Sequence, residues 1–453
     1  MSLGRIEEDV SRSREAAFQA WRRARAGEEG TQPTVKGALP LEAAQVLAMG
    51  NNKQLRAILQ EKEVAGGRVT EAWAEALPKL DLEGSYRRLD KVSSFSAGPT
   101  TITMGSVNNY SLGLVLRQPI FRGGAIGAGI RAARIYTLLA DEQVSGVVQT
   151  VLFQTRSAYY DVLLARELAK VSEADLAVAR RTLSDAEKKR NQGAATEFDV
   201  LRAQVEVSNV EAELIQRQNA FNLSKTTLLK TLGVSQESEV ELSDRLQYQA
   251  AAPDLAQAVE KAFRRRPELR QAELGVRLQR EAVAAARAGW WPRADLTASE
   301  TYARPDPHSA TRIEWGEGWN AGVSVAWPLF DGFRTAGRVR QERAKLEEQK
   351  IGLVDAEERV LLDVKQAIVN IEDAGKFVKS QSANLDRARE GLRLAEASYR
   401  EGVTTEVAVL DARQALSRTQ ALHYRALYDH MVARLLLERA TGVLEPPGKG
   451  AEK

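Results

Sequence analysis

Few side chains in this sequence are placed to do chemistry. The chain contains no cysteine and only 3 histidines, which excludes disulfides, thiolate metal sites, a cysteine nucleophile and a lipid-modified N-terminal cysteine. His423 and His430 are seven positions apart and so share one face of a helix, either as a metal pair or as a packed or surface pair. No Ser-His-Asp or Cys-His set and no metal-ligand spacing stands out. The sequence therefore predicts a protein that is not an enzyme and has neither a metal site nor a cofactor.

The glycine-rich stretch GGAIGAG (Gly123–Gly129) is superficially similar to a phosphate-binding loop. It lacks the GK[ST] ending of such a loop and the glycine spacing of a dinucleotide-binding turn. We therefore interpret this stretch as the junction between a strand and a helix, with a nucleotide site as the alternative.

The composition favours long helices. Charged residues make up 28% of the 453 residues and aromatic residues only 6%, a mixture typical of long or coiled helices rather than of a compact sandwich or barrel. The 64 basic residues are balanced by 61 acidic residues, so nucleic acid is a poor candidate ligand. No run of residues approaches the ~18 apolar residues of a membrane-spanning helix. The N-terminal residues also lack the apolar segment of a secretory signal peptide.

An internal duplication organises the chain. The turn QGAATE, which contains Gly193, recurs as EGVTTE, which contains Gly402, at an offset of 209 positions. The same offset relates LGLVLRQPIFRGG to AGVSVAWPLFDGF, while the segments upstream of these are offset by 214. The duplication predicts an N-terminal extension (residues 1–40), a first repeat (41–253), a second repeat (254–443) and a C-terminal tail (444–453).

Each repeat predicts the same order of elements. A helix of about 35 residues comes first, over roughly Leu41–Leu77 and Asp254–Gly289, and a proline ends it. Two segments with period-two alternation follow, as in LDLEGSY and DLTASETY, and their length of about ten residues suits a strand that crosses a bilayer. A helix of about 65 residues then runs from about Ala125 to Arg190 in the first repeat and from about Thr335 to Arg400 in the second.

The long helices carry the heptad pattern of a coiled coil. In the second repeat, apolar side chains recur every seven positions at Val364, Ile371, Val378, Leu385, Leu392 and Tyr399. Gly193 and Gly402 follow the long helices, as C-terminal caps do. Thr196 and Thr405 are candidate N-caps of returning helices of about 37 residues. The short first helix of each repeat is expected to stack end to end on the returning helix, so that together they cover the roughly 100 Å of the long one.

Four strands in one chain cannot close a barrel. In lipid, an open sheet edge leaves backbone groups unpaired at several kcal/mol each, so identical chains are expected to pool their strands, and three chains would supply twelve. The predicted fold is mostly α with a small β part. It combines internally duplicated long antiparallel coiled-coil helices with four membrane strands per chain, in a trimeric 12-stranded β-barrel continuous with an α-helical barrel.

These features resemble the TolC-type outer-membrane efflux protein family. The resemblance covers about Leu41 to Val443 and rests on motifs that occur in the same order in both repeats. These are PxLxL after the first helix (ALPKLDL, WWPRADL), xPIF or xPLF followed by a glycine turn, and the tip pattern, which reads YxxGxxTxxxxLxA in the second repeat.

The resemblance implies a homotrimeric channel in the outer membrane of a Gram-negative bacterium, with a periplasmic helical tunnel. It implies the exit duct of a tripartite efflux or type I secretion system, a passive conduit for small molecules or polypeptides that is gated at its helical tips. The implied partners are a periplasmic adaptor (membrane fusion) protein, an inner-membrane pump and outer-membrane lipid.

The resemblance also implies where the gate lies. Tyr399 and Asp411 match the tip pattern of the second repeat. The family has another acidic residue at the position of Ala408, and Asp199 fills the equivalent position in the first repeat. Three copies of such carboxylates would form a ring that favours cations. The alternative is that they are ordinary solvated carboxylates, favoured by the helix dipole. The turns are expected to dock the adaptor through Gly193, Ala194, Thr196, Gly402, Val403 and Thr405.

Tryptophans flank the second pair of strands, and we expect them to form an interfacial aromatic girdle, with core packing as the alternative. They are Trp290, Trp291, Trp315, Trp319 and Trp327. A soluble or periplasmic coiled-coil scaffold or adaptor protein is the rival to the channel. The missing signal segment favours this rival, whereas the four alternating segments favour the channel, because a scaffold has no use for lipid-facing strands.

Overall fold

The computed structural model describes residues 11–19, 22, 33–97, 99–309 and 311–447. Most of the predicted N-terminal extension and the end of the predicted C-terminal tail lie outside these residues, so the four-part division stays a prediction. From residue 33 onward the helices are α1 (Leu41–Asn51), α2 (Lys53–Ala74), α3 (Ala125–Asn191), α4 (Glu197–Leu232), α5 (Leu255–Arg265), α6 (Pro267–Arg287), α7 (Arg334–Arg400) and α8 (Glu406–Ala440). The strands are β1 (Lys36–Leu39), β2 (Lys79–Arg88), β3 (Ser93–Ala97), β4 (Thr100–Met104), β5 (Asn108–Phe121), β6 (Glu239–Leu242), β7 (Arg293–Arg304) and β8 (Gly316–Ala326).

The long and returning helices agree with the sequence pattern. The two helices α3 and α7 each contain 67 residues, and the returning helices α4 and α8 contain 36 and 35. Four heptad positions of α7 are buried, which confirms this part of the predicted seam: Val364, Ile371, Val378 and Leu385. The glycine-rich stretch lies at the junction between β5 and α3, as predicted.

The prediction of one continuous helix at the start of each repeat was wrong. Each is divided by a single residue with extended backbone, Asn52 between α1 and α2 and Arg266 between α5 and α6. Pro267 explains the second break, because proline disfavours helical backbone at the residue before it. At the first break the Asn52 side chain accepts hydrogen bonds from the backbone of Gln54 (2.9 Å) and Leu55 (3.2 Å), as an N-cap does.

The returning helices end against these breaks. A Cβ on Gly233, just after α4, would lie 2.3 Å from the backbone oxygen of Asn51, and a Cβ on Gly442, just after α8, would lie 2.9 Å from the carbonyl carbon of Arg265. Both glycines have positive φ, which glycine adopts without strain. The predicted end-to-end stacking therefore occurs at the helix breaks, and no side chain fits at the contact.

The chain forms two compact units, of which the first contains the described parts of Met1–Leu59, Val144–Pro267 and Glu357–Lys453. Its core surrounds a parallel pair of short strands, β1 and β6. The buried Tyr159 hydroxyl lies 2.8 Å from the Leu39 carbonyl oxygen and 2.5 Å from Asp244 Oδ2. Burial raises the pKa of Tyr159. The sequence did not predict this sheet, because strands of four residues carry too little periodicity.

The second unit, Gln60–Gln143 with Glu268–Ala356, contains a four-stranded antiparallel sheet. Its order is β2-β5-β7-β8, so β2 and β8 are the edges and the two repeats meet at β5 and β7. These are the four strands predicted from alternation. The loop expected before β5 also contains the hairpin of β3 and β4.

Candidate functional site

The two predicted tips are glycine-terminated turns of the same geometry. Gly193 and Gly402 have φ of 75° and 74°. The Gly193 and Ala194 amides donate to the carbonyls of Arg190 (2.9 Å) and Lys189 (2.8 Å), and the Gly402 and Val403 amides make the corresponding bonds after α7. This is the Schellman pattern, in which a left-handed residue lets the last helical carbonyls be satisfied. A Cβ on either glycine would meet open space, so backbone conformation, and not crowding, requires glycine here.

The returning helices begin with threonine caps of unequal strength. Thr196 and Asp199 form a capping box: the Asp199 amide donates to Thr196 Oγ1 (3.2 Å), and Asp199 Oδ2 accepts from the Thr196 amide (2.9 Å) and hydroxyl (2.7 Å). These bonds hold the pKa of Asp199 below its ordinary value. Thr405 has only a 3.4 Å contact with the Ala408 amide, because Ala408 has no side chain that could reach back.

A polar network joins the tip of the second repeat to the first. Lys189 Nζ donates to the Tyr399 hydroxyl (2.8 Å), which in turn lies 3.4 Å from Glu406 Oε2. Lys189 Nζ also lies 3.7 Å from that carboxylate and 5.4 Å from the centre of the Tyr399 ring. The hydrogen bond to Tyr399 is the main reason that the pKa of Lys189 is raised. The ends of α3 and α7 and the start of α8 are thus fastened at one point.

Farther from the turns, two more polar contacts connect the repeats. Arg413 on α8 donates to Glu396 (3.0 Å) and approaches Thr182 Oγ1 of α3 at 3.4 Å. Ser417 on α8 donates to Asp175 of α3. Burial raises the pKa of Asp175.

The predicted gate residues differ in their surroundings. Tyr399 lies in the network that joins the repeats, whereas Asp199 is held by its own helix cap and Asp411 is exposed on α8. Among the described residues, no hydrogen bond or ion pair joins any two of these three side chains, and their role as a gate stays a prediction. Sequence reasoning missed Lys189, Glu406 and Arg413. The only sequence signal for these residues was the 209-residue repeat. It places Tyr399 and Glu406 at the positions of Arg190 and Glu197, and these two residues form an ion pair of 3.0 Å in the first tip.

The sheet has one apolar and one polar face. The pairing places seven exposed apolar side chains on one face: Leu80, Leu82, Leu112, Leu114, Leu296, Val323 and Val325. Glu300, opposite Leu114 and Trp319, interrupts this face. The other face carries polar contacts, such as Ser85 with Ser111 at 2.8 Å and Asn320 with Ser299 at 2.8 Å. A strand that separates lipid from a wet interior has this division.

Aromatic side chains lie at both ends of the hairpin of β7 and β8. Trp315 stacks on Tyr302 with ring centres 5.0 Å apart. At the other end the Trp327 indole donates to the Trp290 carbonyl oxygen (3.1 Å). The five predicted tryptophans are all exposed, and Trp319 has 80% of its surface accessible. Their role as a membrane girdle stays a prediction.

The two histidines have separate environments. His430 is buried and its Nε2 lies 2.9 Å from the Gln249 carbonyl oxygen, while His423 Nδ1 contacts Ser382 Oγ at 3.5 Å. In the described part of the chain, no cluster of three or more His, Cys, Asp and Glu residues has the arrangement of a metal site. Over the same residues, none of the helices combines the length and apolar character needed to cross a membrane.

Comparison with known proteins agrees with this architecture. The family model for the outer membrane efflux protein matches residues 45–234 and 258–443. The chain is 26% identical over 408 residues to the alkaline protease secretion protein AprF of Pseudomonas aeruginosa, covering 88% of this chain and 83% of AprF. It is 25% identical over 409 residues to the outer membrane protein TolC of Escherichia coli, covering 87% of this chain and 80% of TolC. The crystal structure of the outer membrane protein VceC from Vibrio cholerae superposes with a TM-score of 0.74 at 19% identity, covering 89% of this chain and 96% of VceC.

Proposed function

Because the chain belongs to the outer membrane efflux protein family, we propose that it is the exit duct of a tripartite efflux or type I secretion system. The protein is an outer membrane channel, and the rival scaffold is not favoured. The relatives include a protease secretion protein and efflux proteins, so both polypeptides and small molecules are candidate cargo. Passage is passive, with no chemical step performed by this chain.

The observation that carries the proposal is the sheet with one apolar face and two edge strands, β2 and β8, which have no outer partner strand in the described part of the chain. A sheet in lipid must pair every edge, because unpaired backbone groups there cost several kcal/mol each. Three copies would close a twelve-stranded barrel, within the known range of sizes. The apolar face then contacts lipid and the polar face lines the pore.

The tips are the proposed gate and docking surface. Tyr399, Lys189 and Glu406 hold the repeats together at the turns, so the opening of the tunnel requires that these contacts break. Asp199 and Asp411 would contribute negative charge near the opening. The exposed turns, with Val403 accessible over 80% of its surface, are proposed to dock a periplasmic adaptor, through which an inner-membrane pump supplies the energy.

Reconstitution tests the channel directly. The protein should fractionate as a Sarkosyl-insoluble, heat-modifiable trimer and should conduct ions in planar bilayers. A monomer that stays soluble without detergent and conducts no ions would contradict the proposal.

A second test addresses docking. Val403→Glu is expected to abolish export in a cell that carries the cognate adaptor and pump, while single-channel conductance stays unchanged. Full export by this variant would remove the turn from the docking surface.

A further inference from the structure

Four aromatic rings form a continuous row at one end of the apolar face of the sheet. The centre of the Tyr110 ring lies 5.0 Å from that of Tyr86 and 6.1 Å from that of Trp315, and the Trp315 ring in turn lies 5.0 Å from that of Tyr302. All four side chains are exposed. Because tyrosine and tryptophan collect where the apolar part of a bilayer meets its head groups, the row marks the head-group level once this face lies in lipid.

The row lies at the end of the sheet that is remote from the long helices. β2 begins just after α2 and β5 ends just before α3, and in the second repeat β7 follows α6 and β8 precedes α7. At their opposite ends the strands are joined through loops and through the hairpin of β3 and β4. Since the helices form the periplasmic tunnel of this family, the aromatic row faces the outer leaflet of the outer membrane.

Two arginines continue the same face outward, past the rings. Arg88 is the next residue on this face after Tyr86, and Arg304 is the next after Tyr302. Arg88 makes no hydrogen bond or ion pair with any described residue, and Arg304 uses only its Nε, which donates to the Ile313 carbonyl oxygen (2.8 Å). Both side chains are exposed. A guanidinium group with free N–H donors binds phosphate through two parallel hydrogen bonds.

The two arginines lie on strands that are separated by β5. Arg88 lies opposite Asn108, and Arg304 lies opposite Tyr110, two residues farther along β5. Two strand spacings of ~4.8 Å and two residues of ~3.4 Å place their Cα atoms about 12 Å apart. Each guanidinium group can then engage a phosphate of its own, so the separation favours a ligand that carries two phosphates.

Two carboxylates fix the height at which an anion can bind. Glu317 lies opposite Tyr302, and Glu300 lies opposite Trp319, one row closer to the apolar band. Neither makes a hydrogen bond or an ion pair within the part of the chain that the structure describes. Their negative charge repels phosphate from the level of the rings and below it. An anionic head group is therefore favoured only beside the arginines.

We propose that Arg88 and Arg304 bind the two phosphates of lipid A, the phosphorylated glycolipid of the outer leaflet. The head-group patch is defined as these two arginines with the four rings, Tyr86, Tyr110, Tyr302 and Trp315. The phosphates contact the arginines, the disaccharide lies beside the rings, and the acyl chains lie on the apolar rows below. The inference rests on the proposed outer membrane channel and names the lipid that it holds at its outer end.

Native mass measurement of the channel in mild detergent tests the patch, with lipid A itself as the probe. The unmodified protein is expected to bind lipid A. Arg88→Gln/Arg304→Gln should bind it roughly thirtyfold more weakly, the combined effect of two basic residues at an anionic lipid surface. Because both arginines are exposed, the variant is expected to fold, to keep its subunit number in the same spectra and to retain its conductance.

A matched control removes the same charge from the other face of the sheet. Arg87 and Arg293 lie on the same two strands, β2 and β7, but on the polar face. Arg87→Gln/Arg293→Gln should bind lipid A as the unmodified protein does. Two further probes vary the lipid: lipid A stripped of its phosphates, and phosphatidylglycerol, which carries a single phosphate. The unmodified protein should bind both of them more weakly than lipid A.

A further variant distinguishes direct contact from a bridging cation. Glu317→Gln removes a negative charge beside the patch, so lipid A binding should stay unchanged or become stronger. Weaker binding in this variant would mean that a divalent cation joins the carboxylate to the lipid, and the direct contact with the arginines would be wrong.

The remaining outcomes separate this inference from the proposed function. The channel may conduct while the arginine variant binds lipid A as tightly as the unmodified protein, while the control variant loses binding equally, or while either simpler lipid binds as tightly as lipid A. In each of these cases the head-group patch is wrong and the channel stands. If the unmodified chain neither assembles nor conducts ions, the proposed channel is wrong, and the patch with it.

Discussion

Replacement of Tyr399 by phenylalanine is the sharpest test of the proposed gate. The change removes one hydroxyl and keeps the ring. That hydroxyl accepts the hydrogen bond from Lys189 Nζ at 2.8 Å and lies 3.4 Å from Glu406 Oε2. The variant therefore removes this hydrogen bond between the repeats while the glycine turns remain intact.

The expected magnitude follows from the type of bond. A hydrogen bond to a charged group contributes about 1.5–3 kcal/mol, and partial exposure of both partners places this bond at the lower end of that range. A loss of ~1.4 kcal/mol per chain corresponds to roughly a tenfold shift in the equilibrium between closed and open tips. The shift in the variant is toward the open form.

Single-channel recording in planar bilayers measures this shift as an increase in open probability. Tyr428→Phe is the matched control, because its hydroxyl also donates to a carboxylate, Asp161 Oδ1 at 2.6 Å. It lies 23 positions beyond Thr405, roughly 35 Å along α8. An unchanged open probability in Tyr399→Phe, or an equal increase in both variants, would refute the gate.

The same contact predicts a pH dependence. The raised pKa of Lys189, caused first by its bond to Tyr399, means that the closed tip binds this proton more tightly than the open tip. The stabilisation is therefore fully present below the ordinary pKa of 10.5 and is lost as pH rises through the raised value. Open probability should increase only at strongly alkaline pH, and Lys189→Gln should abolish this increase. An alkaline increase of the same size in that variant would exclude Lys189 as its cause.

Two further predictions concern stability. Thr196→Ala should destabilise the first turn of α4 by about 1 kcal/mol. Thr405→Ala should have a smaller effect on α8, because the hydrogen bond that Thr405 Oγ1 accepts from the Ala408 amide is longer. Hydrogen exchange in the first turns of the two helices compares the variants. Tyr159→Phe should lower the free energy of unfolding in urea by about 1–3 kcal/mol, because it removes the hydroxyl donor from the buried Leu39 carbonyl oxygen; an unchanged value would contradict the described core contact.

The sequence by itself determined the order, the type and most of the length of the elements. Because the chain is duplicated, the same order of elements was predicted in both repeats. Long heptads and alternating strands are also the patterns that local sequence specifies most strongly. The caps at Gly193, Gly402, Thr196 and Thr405 were also readable, because a positive φ after a helix and a hydroxyl before one are local requirements.

Only the tertiary structure decided which side chains of different repeats meet. The bond from Lys189 to Tyr399 joins residues 210 positions apart, and no periodicity encodes such a distance. The same holds for the contact of Gly233 with Asn51, which depends on where the returning helix ends against the break at Asn52. The capping of Asp199 by its own turn was equally invisible, because a carboxylate at a helix start can face either its backbone or a pore. Sequence pattern fixes the local backbone, whereas packing between distant segments selects the partners.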